Sequence, residues 1–226
     1  MAHQTAGFRK VERALNIVSR PNVTPQPWNP DALDVLYAWP NQFWTRGNLV
    51  TSASGDVRGT SGTSRDLTSP QDRQILRLVR AEAEILIVGA ASVRAEGWHL
   101  PPAAHVYVLS ASGNVPWDTC PDRSRVDLVV PEPQHSLEQT VDELMASISS
   151  TAVTRVLCEG GPRLLTALVS QGYLNELCLT VVSANVADVT RSANSLLRGA
   201  RTWAATSLMT GTQPESIFSI WRCVTE

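Results

Sequence analysis

Residues 153–168 read VTRVLCEGGPRLLTAL, and this stretch decides the fold. The run at 153–158 is apolar and short, as a buried strand requires. It meets Glu159, Gly160 and Gly161 before Pro162 opens a helical pattern reaching about Ser170. Proline suits a first helical position, because the N–H it lacks has no partner there. Two glycines let backbone amides approach a ligand closely. The helix start adds unpaired N–H groups and a positive dipole end, which suit an anion such as phosphate. Glu159, at the strand end, is placed to meet the polar part of a substrate. Gly-Gly-Pro is equally good chemistry for a plain strand-to-helix turn, so the segment alone leaves both uses open.

Working outward, the same alternation recurs. Residues 84–89 (EILIVG) read as a second buried strand, preceded by a helix from Pro70 to about Ala83. Ser69 caps that helix, Asp72 reaches back as in a capping box, and Ile75, Leu76, Leu78 and Val79 form its buried side. Further strands are expected at 44–52, 105–110, 125–130, 175–183 and 216–224, with a helix at 136–149. Strands alternating with helices, then closing C-terminal strands, predict an α/β fold. Its central sheet is mostly parallel, with helices on both faces. Ligands of such sheets sit beyond the carboxyl ends of the strands. That rule selects residues 53–64, 89–97 and 159–162. In the second segment small residues leave room for a ring, and Ser92, Arg94 and Glu96 supply polar handles; a plain solvated turn would look similar. Arg73, Arg77 and Arg80 share one helix face, a pattern that solvent alone also explains.

The first thirty residues read as an extension to a domain spanning residues 31–226. Residues 10–18 suit a short amphipathic helix, but Pro21, Pro25, Pro27 and Pro30 argue against regular structure after it. Asp31 is the expected cap of a helix carrying Leu33, Leu36 and Tyr37. The net charge of −2 gives no electrostatic footprint for nucleic acid or an anionic membrane. No run of about 18 apolar residues occurs, no signal-peptide pattern opens the chain, and the four cysteines form no C-x-x-C pair. Buried free thiols and a cytoplasmic location are therefore expected, with no metal site among the scattered histidines.

Three blocks together carry a family resemblance: NLVTSASGDVRG (48–59), SGTSRDLTSPQDRQILRLVRAEAEILIVGAASVRAEG (61–97) and VLCEGGPRLLTALVSQGYLNEL (156–177). In order, spacing and local chemistry they resemble the reductase domain of the bifunctional riboflavin-biosynthesis deaminase/reductase, and especially the stand-alone pyrimidine reductases. The resemblance implies a dihydrofolate-reductase-like fold with NADPH as hydride donor. The implied substrate is a ribosylamino-pyrimidine phosphate whose ribosyl group is reduced to ribityl. By position, Val50, Asp66, Ser92, Glu96 and the stretch from Gly160 through Pro162, Arg163, Leu164 and Leu165 to Ala167 would contact the cofactor. Ser64, Arg80 and Glu159 would contact the substrate, with Arg80 suited to its phosphate and Glu159 the catalytic group. Arg94 or Arg163 is a candidate for the cofactor's extra phosphate. Family members commonly form dimers, so a homodimer is expected. The zinc deaminase half has no counterpart, because H-x-E with P-C-x-x-C is absent.

One departure matters. Where the family reads Ser-Leu-Asp-Gly, this chain has Ser52-Ala53-Ser54-Gly55, and Ser54 cannot act as a carboxyl acid. That change keeps two alternatives in play: a related reductase of another pteridine-like or carbonyl substrate, and a non-catalytic nucleotide-binding protein of the same fold.

Overall fold

The buried runs become strands because each divides its apolar residues between two covered faces. The computed structural model describes residues 23–199, 201–212 and 215–224. The helix expected at 10–18 lies outside these residues. The described strands are β1 (Gln26–Pro27), β2 (Trp44–Ser52), β3 (Ile85–Gly89), β4 (His105–Leu109), β5 (Val126–Val129), β6 (Arg155–Cys158), β7 (Glu176–Val182), β8 (Thr202–Thr212) and β9 (Glu215–Val224). The α-helices are α1 (Leu33–Leu36), α2 (Pro70–Ala81), α3 (Ala90–Glu96), α4 (Leu137–Ser149), α5 (Pro162–Ser170) and α6 (Val186–Leu196).

All the strands join one sheet in the order β1-β8-β9-β7-β2-β6-β3-β4-β5. Its described pairings are parallel except those of β9, which runs antiparallel to both β7 and β8. The expected parallel sheet with closing strands is the one observed. Ile85 and Ile87 of β3 enter one core layer, and Leu86 and Val88 enter the other. In β6, Val156 and Cys158 part from Leu157 in the same way. Helices α4, α5 and α6 cover the first layer; α1, α2 and α3 cover the second. Sheet and helix approach closely at Gly47 of β2, where any Cβ would stand 2.5 Å from Leu165 Cδ1 of α5. The four cysteines are free, and burial pushes the Cys158 thiol up to about 12.

Several local expectations change. The prolines after residue 20 do not forbid structure, since Gln26 and Pro27 pair in parallel with Met209 and Thr210 of β8. An edge position tolerates proline, which has no N–H to give the ladder. Trp28 then packs on Phe218 with ring centroids 5.0 Å apart. Asn29, not Asp31, caps the turn that leads into α1. Ser69 caps α2 through the Asp72 amide as expected, but the Asp72 carboxyl turns to Thr180 on β7 and closes no box. The reciprocal box is at α4, between Ser136 and Gln139. Helices α3 and α6 and strand β8 add to the elements read from the sequence.

Candidate functional site

Beyond the carboxyl ends of β2, β3, β4 and β6 lies a cavity of about 810 Å³, bordered by the starts of α3 and α5 and by α2. Its position follows from topology: parallel strands end together and their connections diverge to opposite faces. All three segments selected from the sequence reach it.

The strongest polar feature joins α2 to the β6 end. Arg80 Nε donates to Glu159 Oε1 at 2.7 Å, and Nη2 donates to Oε2 at 2.5 Å. The side chains are 21% and 10% exposed, so the fork works in a poorly solvated place. Burial opposes the Arg80 charge, yet the bonds to Glu159 and its field outweigh that, and the guanidinium pKa is raised. The pair uses two of the five guanidinium N–H donors, which leaves three for a ligand.

Next to this pair, Asp72 is 5% exposed and faces the same cavity. Desolvation by burial raises its pKa to about 6, aided by the nearby Glu159 charge and opposed by the Thr180 hydroxyl and Arg73. The two carboxyls thus differ in kind: Glu159 is locked to a cation, while Asp72 can change its proton near neutral pH.

The Gly160–Gly161 turn carries the chain from β6 into the start of α5. Gly161 has open space around its Cβ position, and Gly161, Pro162, Arg163 and Leu164 line the cavity. Gly160 plays a different part: it does not line the cavity, and a Cβ there would overlap Leu164. Gly160→Ala should therefore displace the start of α5. A loss of about 1–3 kcal/mol is expected from denaturant unfolding, with nucleotide affinity falling in parallel.

The other sequence candidates separate clearly. Val50, Ser64, Ser92 and Glu96 line the cavity, and Glu96 Oε1 accepts from the Ser64 amide at 2.8 Å. Asp66 does not line it. Its exposed carboxylate accepts from the Ser61 amide at 2.6 Å and from Thr60, and the Ser61 bonds lower its pKa. Leu165 is buried beneath the turn, in the core. Arg94 lines the cavity but its Nη1 donates to the Asn114 carbonyl at 2.6 Å, while Arg163 is exposed. Of the arginine stripe only Arg80 reaches the site; Arg73 bonds Thr68 instead. At the altered motif, Ser54 Oγ donates to Asp56 Oδ2 at 2.6 Å, so a carboxylate does stand beside Ser54, though in an exposed turn outside the cavity lining.

Sequence reasoning missed Asp72 and Ser110. Locally the Asp72 carboxyl reads as a capping group, and nothing in the neighbouring sequence marks that its side chain turns inward. Ser110, just after β4, lines the cavity, and its buried hydroxyl has no partner among the described residues. An unsatisfied buried hydroxyl, an open glycine backbone and a helix N-terminus form a donor set that fits a dinucleotide's phosphates and sugar. Among the described residues no group of three metal-ligating side chains occurs, and no helix is long and apolar enough to cross a membrane.

Comparisons with known proteins bear on the fold and the family. The model of the RibD C-terminal domain matches residues 44–192. No curated protein matches in sequence. A pyrimidine reductase-like protein from Corynebacterium diphtheriae superposes with a TM-score of 0.62 at 17% identity, covering 86% of this chain and 99% of that one. RibD from Acinetobacter baumannii superposes with a TM-score of 0.57 at 16% identity, over 81% of this chain and 58% of its own. Dihydrofolate reductase from Enterococcus faecalis, complexed with NADP(H) and RAB-propyl, gives a TM-score of 0.52 at 12% identity, over 80% and 97% of the two chains. At these identities the likenesses show a shared, dihydrofolate-reductase-like fold.

Proposed function

The chain belongs to the RibD C-terminal domain family, and from that premise we propose that it is an NADPH-dependent reductase converting the ribosyl group of a ribosylamino-pyrimidine phosphate to ribityl. The observation that carries the reading is the convergence of the Arg80–Glu159 fork and the Gly161 turn on one cavity. One end suits a charged substrate and the other a dinucleotide.

The residues divide the work. The Gly161 and Arg163 amides, Ser110 and Ser92 would hold NADPH, which supplies the hydride when bound. Arg80 would meet the substrate phosphate with its three remaining N–H donors while keeping its pair with Glu159. Glu159, fixed by that pair, would stabilise the positive charge of the iminium formed as the ribosylamine opens, the charge that hydride addition to its carbon then discharges. Ser64, held by Glu96, lines the path between them. The protein's contribution is positioning and a preset field. A homodimer and a cytoplasmic location remain part of this reading.

The test is titration of the protein with NADPH and NADH, followed by tryptophan quenching and energy transfer to the nicotinamide. NADPH affinity on the order of micromolar, unmatched by NADH, is expected. Glu159→Gln should retain that affinity and lose about 10²-fold or more in turnover, since it removes the charge that fixes Arg80. Full turnover in Glu159→Gln would remove Glu159 from the mechanism. Absence of nucleotide binding would remove the reductase.

A further inference from the structure

Among the described residues the sheet ends in β5 on one side and in β8 with β1 on the other. A free edge shows a row of unpaired N–H and C=O groups and is a template for another chain. Strand β5 is four residues long, and Pro131 follows it after Val130, so little can pair there. Strand β8 runs for eleven residues. A shift of register between Ala205 and Ser207 turns its first part away from regular pairing. From Leu208 onward its register is regular, and along this part lie residues 23–28.

These residues grip both faces of the sheet. Val23 packs against the layer covered by α4, α5 and α6, while Trp28 packs on Phe218 in the opposite layer. Between them Gln26 and Pro27 stand beside Met209 and Thr210. Trp28 N donates to the Thr210 carbonyl at 3.0 Å, and Thr210 Oγ1 donates to the Gln26 carbonyl at 3.4 Å. Backbone groups of successive strand residues point to opposite edges. Gln26 and Trp28 therefore face β8, and the same alternation turns the nitrogens of Pro25 and Pro27 outward. Neither nitrogen carries a hydrogen. At these positions the new edge shows carbonyls alone, and an incoming strand loses the donors its own carbonyls need.

We propose that residues 23–28 are an edge strap: they occupy the part of β8 that is open to pairing, and Pro25 and Pro27 deny the resulting edge to a second copy of this chain. Without the strap, Leu208–Thr212 is free to pair with the same stretch of another copy about a two-fold axis, which would fuse two sheets into one. A homodimer therefore has to be built on a different surface.

The test uses the full chain with Pro25→Val and Pro27→Val combined, which restores both outward N–H groups and leaves the Gln26 and Trp28 contacts in place. Sedimentation velocity compares it with the parent from micromolar to submillimolar concentration. The parent should keep one mass throughout, whatever its oligomeric state. The variant should gain mass with concentration, reaching about twice the parent's or more. Its urea midpoint should match the parent's, because the strap stays docked. A second full-chain variant, Trp28→Ser, loosens the strap, and hydrogen exchange over Leu208–Thr212 should quicken about tenfold or more. A proline variant that keeps the parent's mass at every concentration overturns the block. Association accompanied by a lowered urea midpoint traces it to unfolding and overturns the edge as its cause. Unchanged exchange in Trp28→Ser overturns the strap itself.

Discussion

Glu176→Gln is expected to lower the unfolding free energy by about 3–5 kcal/mol, the cost of leaving a buried cation without its counter-charge. Both Arg46 and Glu176 are fully buried, with Arg46 Nε donating to Glu176 Oε1 at 2.5 Å. The contact is a consequence of register: Arg46 of β2 stands opposite Glu176 of β7, and Glu176 opposite Arg222 of β9. Arg222 Nε donates to the second Glu176 oxygen at 2.7 Å, so one carboxylate joins three strands. Arg46 also donates to the Tyr37 carbonyl at 2.7 Å and the Ala38 carbonyl at 3.0 Å, and stacks 4.2 Å from the Trp39 ring centroid. It therefore ties the segment after α1 to the sheet. The network lies at the amino ends of β2 and β7, away from the cavity. Urea unfolding should show the loss while nucleotide affinity stays within twofold, or about 0.4 kcal/mol. The double variant Arg46→Met with Glu176→Leu should recover part of the stability, since a well-packed apolar pair can replace an ion pair at little cost. A single-variant loss below about 1 kcal/mol would place the pair among weak surface bridges instead.

Asp72→Asn should act in the opposite direction and only above acid pH. Folding raises the Asp72 pKa from 3.8 to about 6, chiefly by desolvation. The folded chain thus holds this proton to higher pH than the unfolded chain does. The stability linked to that proton is complete below about pH 4 and is lost as the pH climbs through 6. The shift corresponds to about 3 kcal/mol at neutral pH. Asparagine removes the titration, so urea midpoints should show Asp72→Asn more stable than the parent by about 2–3 kcal/mol at pH 8 and nearly equal to it at pH 4. An equal gain at both pH values would mean that shape, not charge, sets the effect. A buried acid that weakens its own fold and faces a cavity is a candidate for the site's chemistry.

The local grammar of this chain was strong wherever burial is two-sided. Continuous apolar runs such as 85–89 and 156–158 leave a strand few alternatives, and Ser69-Pro70 and Pro162 place helix starts through groups that only the first turn leaves free. Helix α6 also had a legible signal, an Asn185 cap followed by Val186, Val189, Ala193 and Leu196, which the surrounding serines and threonines obscured. Strand β8, TWAATSLMTGT, did not. Its apolar and polar residues alternate poorly, and pairing with β9 sets its conformation.

The site divides along the same line. Glu159, Gly161 and Arg80 were found because they flank a strand end or fit a spaced family pattern, and the structure brings all three to one cavity. The sequence by itself determined a mostly parallel α/β sheet and the edge at which its ligands would bind, because periodicity, caps and glycine turns act within a few residues. Only the tertiary structure decided that Arg80 grips Glu159 across 79 positions, that Arg46 meets Glu176 across 130, and that Asp72 turns from its own helix end toward Thr180. Those choices depend on which strands lie side by side and on what each side chain meets once water has been excluded, and no local spacing carries that information.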